Sequence, residues 1–293
     1  MVSSMARANV AAPTGRFAAF SFVDRITQIQ GVTRVCGLYT IPASVEYFPA
    51  SLVAEALGQL AAWVAMAKVD FAARPVAALA GDTKIFSLPT PGDTLELIVD
   101  IESCDAEAIV YRGYAQVEGK VVLELADTVG SMLDIQEFDD PAALKADFAQ
   151  LIANGRTIGA FTGVPPPVLT DLPASTAEHL QAQLAVPAQA VFFEDHFPRR
   201  PVFPATLLLD AQLQLAVRVA TLAAGNERLR LTRITNVKVR SFTAPGAMLV
   251  LSAQLTPSSA EDLEPYLVKV TAQAEGKTIA SAKMYFAPEG DSV

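Results

Sequence analysis

The chain has 293 residues, 52% of them hydrophobic and 18% charged, which suits a well-packed protein with room for two units and excludes a disordered one. A net charge of −9 excludes broad nucleic-acid binding, which needs a basic footprint. The two cysteines, Cys36 and Cys104, match no metal or redox spacing, so the expectation is a reduced, cytoplasmic setting with no metal and no cofactor.

Residues 1–15, MVSSMARANVAAPTG, lack the continuous apolar core of a signal peptide. From Arg16, RFAAFSFVDRITQIQGVTRVCGLYTIP mixes aromatic and β-branched residues, which predicts an opening helical turn and then strands, with a turn at Gln30-Gly31. Residues 49–69 read as a long apolar helix. The runs LPTPGDTLELIVDI and AQVEGK then predict strands joined by Pro-Gly and Gly-Lys turns, three or so strands in all. DDPAALKADFAQLIANG predicts a surface helix capped by Asp140, with Pro141 at its first position and Asn154-Gly155 closing it. Leu144, Phe148, Leu151 and Ile152 are expected to dock it onto a neighbouring unit. GVPPP, Gly163 to Pro167, reads as a stiff linker. STAEHLQAQLAV predicts an exposed strand that leaves His179 a surface residue.

Residues 192–216, FFEDHFPRRPVFPATLLLDAQLQLA, hold one of the two histidines in a proline-stiffened segment. Pro198, Pro201 and Pro204 each fix φ and bias the preceding residue away from helix, so His196 is extended and a helix can begin only at Pro204. The helix runs to about Ala224 and stops at Gly225. It is apolar nearly all round, which predicts burial on every side, except that Asp210 and Gln214 share one face. This helix and the one at 49–69 are long enough to cross a membrane, but each carries a carboxylate and glutamines mid-span, so no membrane is expected.

Laid on the second helix at an offset of 155 residues, FPASLVAEALGQLA matches FPATLLLDAQLQLA, and Glu55 falls on Asp210. The strand-forming runs downstream match as well, AQVEGK with AQAEGK. The chain therefore reads as an internal duplication of class α+β: each half is a long buried helix wrapped by an antiparallel sheet, and the halves form a pseudodimer. The expected units are residues 15–138, a linker helix and Pro-rich linker at 139–167, and residues 168–290. The position matching His196 in the first half is Ile41.

The string HFPRRPVFPATLLLDA, with FVDRI and the VEGKVVLELA strand, resembles the β-hydroxyacyl-acyl-carrier-protein dehydratases of the hotdog superfamily, and the resemblance covers both halves as a double hotdog. Ala205 stands where that family usually has glycine. In the family the site forms across a dimer, which implies that His196 of the second half meets Glu55 of the first. His196 would be the base and Glu55 the acid, with Gln59 orienting the glutamate. The Ala205 amide, in the first helical turn after Pro204, would donate to the thioester carbonyl. Asp210 with Ile41 would be a vestigial second site. Phe193, Phe197, Phe203, Tyr47 and Trp63 are expected along an acyl tunnel, and Arg199 and Arg200 at its mouth, toward an acidic carrier protein or a phosphopantetheine phosphate.

The implied activity is dehydration of 3-hydroxyacyl thioesters of acyl carrier protein or coenzyme A, by a homodimer of pseudodimers. The open alternatives are a silent acyl-carrier-binding or acyl-chain-binding scaffold, a hotdog thioesterase, and a dehydratase that also isomerises the double bond.

Overall fold

The computed structural model describes residues 19–173, 175–225, 227–256 and 264–290. The first half contributes β1 (Arg25–Gln30), β2 (Arg34–Thr40), α1 (Ala50–Lys68), β3 (Ala73–Ile85), β4 (Thr94–Cys104), β5 (Ala108–Val117) and β6 (Lys120–Asp134). A connecting helix, α2 (Pro141–Ala153), leads to β7 (Leu169–Asp171), β8 (His179–Ala185), α3 (Ala205–Ala224), β9 (Leu229–Val239), β10 (Met248–Thr256), β11 (Tyr266–Ala274) and β12 (Lys277–Pro288). Among the described residues each half thus has six strands, against the three or so expected, because β1 and β7 are short edge strands and the runs before and after each helix add others.

All twelve strands form one antiparallel sheet in the order β1-β2-β4-β5-β6-β3-β9-β12-β11-β10-β8-β7. The second half of that order repeats the first in reverse, as two copies related by a two-fold axis must. The axis lies at the β3–β9 junction, where Ala80 pairs with Val237 and Asp82 with Thr235, the reciprocal exchange that an offset of 155 residues requires. The turns repeat too. Glu118 and Gly119 have φ of 50° and 76°, and Glu275 and Gly276 repeat those values between β11 and β12, the doubly positive pattern of a two-residue hairpin loop that matches strand twist.

α1 packs on β2–β6 and α3 on β8–β12, and the two helices touch each other. This is a double hotdog, with each apolar helix enclosed by its own half of the sheet. Both helices are long and apolar enough to cross a membrane, with 67% and 56% of their most apolar windows buried inside the protein. α3 is not covered all round: Val217 and Leu222 are exposed, and Arg218 reaches out to a bidentate pair with Asp171.

α2 starts as its cap predicts, the Asp140 carboxylate accepting from the Ala142 amide ahead of Pro141. Leu144 and Leu151 are buried and the Phe148 ring stacks on Trp63 at 6.1 Å. Ile152 is exposed, contrary to expectation. One residue past Leu151 is a 100° rotation, and the docking face already follows the 144, 148, 151 spacing. The opening helical turn expected from Arg16 starts outside the described residues, and from Ala19 to Asp24 the backbone is bent and extended.

Candidate active site

His196 is presented by a 3-10 turn (Val191–Glu194) and the proline-stiffened loop before α3. The loop closes on itself: the His196 amide donates to the Phe192 carbonyl at 2.9 Å and the Val202 amide to the His196 carbonyl at 3.1 Å. The imidazole Nδ1 lies 3.1 Å from the Val202 carbonyl, which can only accept, so Nδ1 carries the proton and Nε2 keeps its lone pair. The Phe197 ring stacks on the imidazole at 4.1 Å, and Phe20 of the first half meets it edge-on at 5.5 Å. Burial holds the imidazole below its ordinary pKa of 6.5; the Glu55 carboxylate opposes that shift and the Arg74 cation adds to it.

Glu55 projects from α1 into the same cavity, of about 170 Å³, whose wall also includes His196, Phe197, Phe203, Trp63 and Ala205. Its Oε1 accepts from Gln59 Nε2 at 3.0 Å and its Oε2 from the Thr206 hydroxyl at 2.9 Å, across the two halves. The Gln59 amide has no rotational choice: its Oε1 accepts from the Phe22 amide at 2.8 Å, so the NH₂ side faces Glu55 and the Phe20 carbonyl. At the start of α3, the Leu207 and Leu208 amides turn back to the Pro204 carbonyl, and the Ala205 N–H has no acceptor among the described residues. Ala205 borders the cavity, and its N–H belongs to the first turn of a helix, where donors are left over for a negative charge beyond the terminus.

Tyr47 and Phe193 do not line the cavity. Tyr47 is half-exposed and its hydroxyl reaches Asp210 Oδ1 at 3.4 Å, which puts it at the other carboxylate. Phe193 turns inward against Phe192, ring centroids 4.6 Å apart. Asp210 is also held by Gln214 Nε2 at 3.3 Å, and burial pushes its pKa up to about 6 against both hydrogen bonds. Ser51 stands 155 residues before Thr206 but does not copy its bond: its hydroxyl is buried without a hydrogen-bond partner among the described residues. With Ile41 fully buried in place of a histidine, the Asp210 position has a carboxylate and no base.

Arg199 and Arg200 bind inside the chain. The Arg199 guanidinium donates to the Gln136 carbonyl at 3.1 Å and Arg200 to Glu137 Oε2 at 2.7 Å, fastening the histidine loop to the end of the first half. Both remain exposed on their outer sides.

Three residues were not anticipated. Asp195 Oδ2 accepts from the amides of Ala19 and Phe20, tying the N-terminal segment to the histidine loop. Thr206 follows Ala205 in the aligned helix start, and its match to Ser51, another hydroxyl, was the available signal. Arg74, on β3, places its guanidinium 3.8 Å over the Phe197 ring, with Nη1 3.9 Å from Asp139 Oδ2. Burial pushes its pKa down to about 10, while the Asp139 and Glu55 carboxylates pull it up, so it stays a cation at neutral pH. No sequence pattern marks Arg74.

A double hotdog whose shared cavity is walled by a histidine and a carboxylate from opposite halves defines a protein of the hotdog dehydratase and thioesterase superfamily. The FabA-like domain family matches residues 172–283, the second half. A 3-hydroxyacyl-(acyl-carrier-protein) dehydratase FabZ from Ruminiclostridium cellulolyticum is 33% identical over 104 residues, 35% of this chain and 71% of that protein. The chain belongs to this β-hydroxyacyl-acyl-carrier-protein dehydratase family, as a duplicated member. Other FabZ proteins align over 54% and 61% of their own length. Among solved structures, a variant of the PpsC dehydratase domain from Mycobacterium tuberculosis superposes with a TM-score of 0.54 at 14% identity, covering 93% of this chain and all of that one. The 12:0-ACP thioesterase from Umbellularia californica gives 0.53 at 13% identity, covering 87% and 94%. These two likenesses speak to the fold alone.

Proposed function

We propose that the protein dehydrates 3-hydroxyacyl thioesters to trans-2-enoyl thioesters at one composite site per chain, in a cytoplasmic fatty-acid or polyketide-type assembly that presents the acyl group on acyl carrier protein or coenzyme A. The observation that carries the reading is His196 and Glu55, from opposite halves, on the wall of one cavity, with the imidazole proton held on Nδ1.

In this reading Nε2 of His196 removes a proton from C2 of the acyl chain. Charge develops on the thioester oxygen, where the Ala205 N–H donates; such a donor contributes about 3 kcal/mol to lowering a barrier. Glu55 protonates the hydroxyl leaving C3, and water departs. The Thr206 hydroxyl is donor or acceptor by rotation, so it can follow Glu55 through both protonation forms. Proton return from the imidazolium to Glu55 resets the site.

The test is the reverse reaction, hydration of a 2-enoyl thioester followed by its ultraviolet absorbance. His196→Ala and Glu55→Gln should each lower the rate by about 100-fold or more, in the range expected of a general acid or base. Asp210→Asn should stay within about threefold of wild type. Thioester hydrolysis in place of hydration would move the assignment to a thioesterase. No turnover, with carrier protein still bound, would leave a scaffold.

A further inference from the structure

Gly58 is an unfavourable choice for the interior of α1, since glycine is the poorest helix former after proline and no positive φ requires it here. Its missing Cβ makes room for one atom. A Cβ at 58 would lie 3.2 Å from the Tyr111 hydroxyl oxygen, the one contact within 4 Å that it would make among the described residues outside its own stretch of helix. Tyr111 shares the inward side of β5 with Ile109, lines the catalytic cavity and is 8% exposed. Its hydroxyl has no hydrogen-bond partner among the described residues. Unlike the Tyr39 hydroxyl it is not sealed in the core: it keeps accessible surface, and the cavity is what it opens on. A phenylalanine over an alanine would fill the same space with no glycine in the helix and no unpaired hydroxyl, so packing alone does not account for the pair. The other copy has neither feature. Leu213 stands at the Gly58 position and Val268 at that of Tyr111, both buried, beside the carboxylate that has no base.

We infer that the Tyr111 hydroxyl is a further catalytic group, which binds the oxygen exchanged at C3: the hydroxyl of the 3-hydroxyacyl thioester and the water of the reverse reaction. The inference rests on the dehydratase reading of the same cavity. Gly58 follows Glu55 by three residues, so Tyr111 meets α1 on the face that carries the carboxylate. Burial first, and the Glu55 carboxylate second, hold the phenol proton in place, so the group is neutral at pH 7. During hydration a water molecule stands between the two side chains. Glu55 takes one of its protons as the oxygen bonds to C3, the Tyr111 hydroxyl accepts a hydrogen bond from the second O–H, and C2 takes a proton from the His196 imidazolium. Dehydration runs the same contacts backwards: Glu55 protonates the oxygen as the C3–O bond breaks, and Tyr111 holds the water that results.

Hydration of a trans-2-hexenoyl pantetheine thioester, followed by its ultraviolet absorbance, is compared in the wild type, in Tyr111→Phe and in the double variant Gly58→Ala with Tyr111→Phe, each with a urea titration. Tyr111→Phe should lower kcat about tenfold, as the loss of one hydrogen bond made in the transition state implies. KM should stay within about twofold, because the enoyl substrate lacks the oxygen in question. The double variant removes a glycine from a helix interior, so its urea midpoint should exceed that of the wild type while its kcat stays as low as that of Tyr111→Phe. Should Tyr111→Phe fold poorly, the double variant, with the space at position 58 filled, carries the same comparison. A purely structural hydroxyl would move the midpoint and leave kcat alone, and wild-type kcat in the folded variants would overturn the inference. A rise in KM at unchanged kcat would overturn it as well, by placing the hydroxyl against the acyl chain. Absence of hydration by the wild type would overturn the dehydratase reading itself, an outcome distinct from an active wild type with equally active variants.

Discussion

Burial around His196 does more than hide a ring. Because desolvation is the largest influence on the imidazole and lowers its pKa, the neutral base persists at pH values where an ordinary histidine would be protonated. The acid limb of kcat/KM for enoyl hydration should therefore fall below pH 6.5. A pH profile of the free enzyme checks this, and a limb above that value would contradict the burial argument. Asp210 gives the opposite case, a carboxyl with a folded pKa of about 6 against an ordinary 3.8. The folded state favours its proton, so the contribution is fully present below about pH 3.8 and is lost as pH rises through about 6. Asp210→Asn should consequently raise stability at pH 7 by about 1–3 kcal/mol. The gain should vanish near pH 4, as urea titrations at the two pH values would show. His196, Glu55, Gln59 and Asp210 could be singled out in the sequence because they stand in a proline-rich string and at matched positions of a repeat. Arg74 and Asp195 could not, since their contacts are with residues more than sixty positions away, and Thr206 carried only its match to Ser51 as a signal.

Helix α2 shows how finely an element's face is set. Leu151 is fully buried and Ile152 is 43% exposed, although they are adjacent in sequence. Leu151→Ala should cost about 2–4 kcal/mol, the range for truncating a buried leucine, whereas Ile152→Ala should stay within about 0.5 kcal/mol. Denaturant midpoints measured at constant m-value would separate the two. Through Phe148 stacked on Trp63, the same helix supports one wall of the cavity, so the Leu151 variant should also shift the tryptophan emission. Capping chemistry was legible here because Asp140-Pro141 is a local signal. The distinction between Leu151 and Ile152 was not, since both fit a broad apolar stripe and only the docked angle of the helix separates them.

The two halves form one continuous sheet, and the junction carries a bidentate pair: Arg233 Nε and Nη2 donate to the two oxygens of Asp82 at 2.6 and 2.8 Å. The pair is partly exposed, so Asp82→Ala should lower stability by only about 1 kcal/mol. Because α1, α3 and the sheet share one core, unfolding followed by Trp63 fluorescence, which reports the first half, should coincide with unfolding followed by circular dichroism. Separate transitions would mean that the junction does not couple the halves. The small apolar cluster of Phe138, Phe197 and Val202 is composite as well, packed against Val76 and Leu133 of the first half, so the histidine loop depends on both copies for its position.

What the sequence determined by itself was whatever is written in local pattern or in self-similarity. Proline stiffening ends before Ala205, two apolar helices stand 155 residues apart, and the histidine at 196 is matched by Ile41 in the other copy. Those features follow from φ restriction, helical periodicity and direct alignment, none of which needs a partner in space. The tertiary structure alone decided which aromatic rings face the cavity, sending Tyr47 to Asp210 and Phe193 to Phe192. It also decided that Arg74 lies over Phe197 with donors unpaired. Such contacts depend on the register and twist of one twelve-stranded sheet closing around two helices, and register is a property of paired strands.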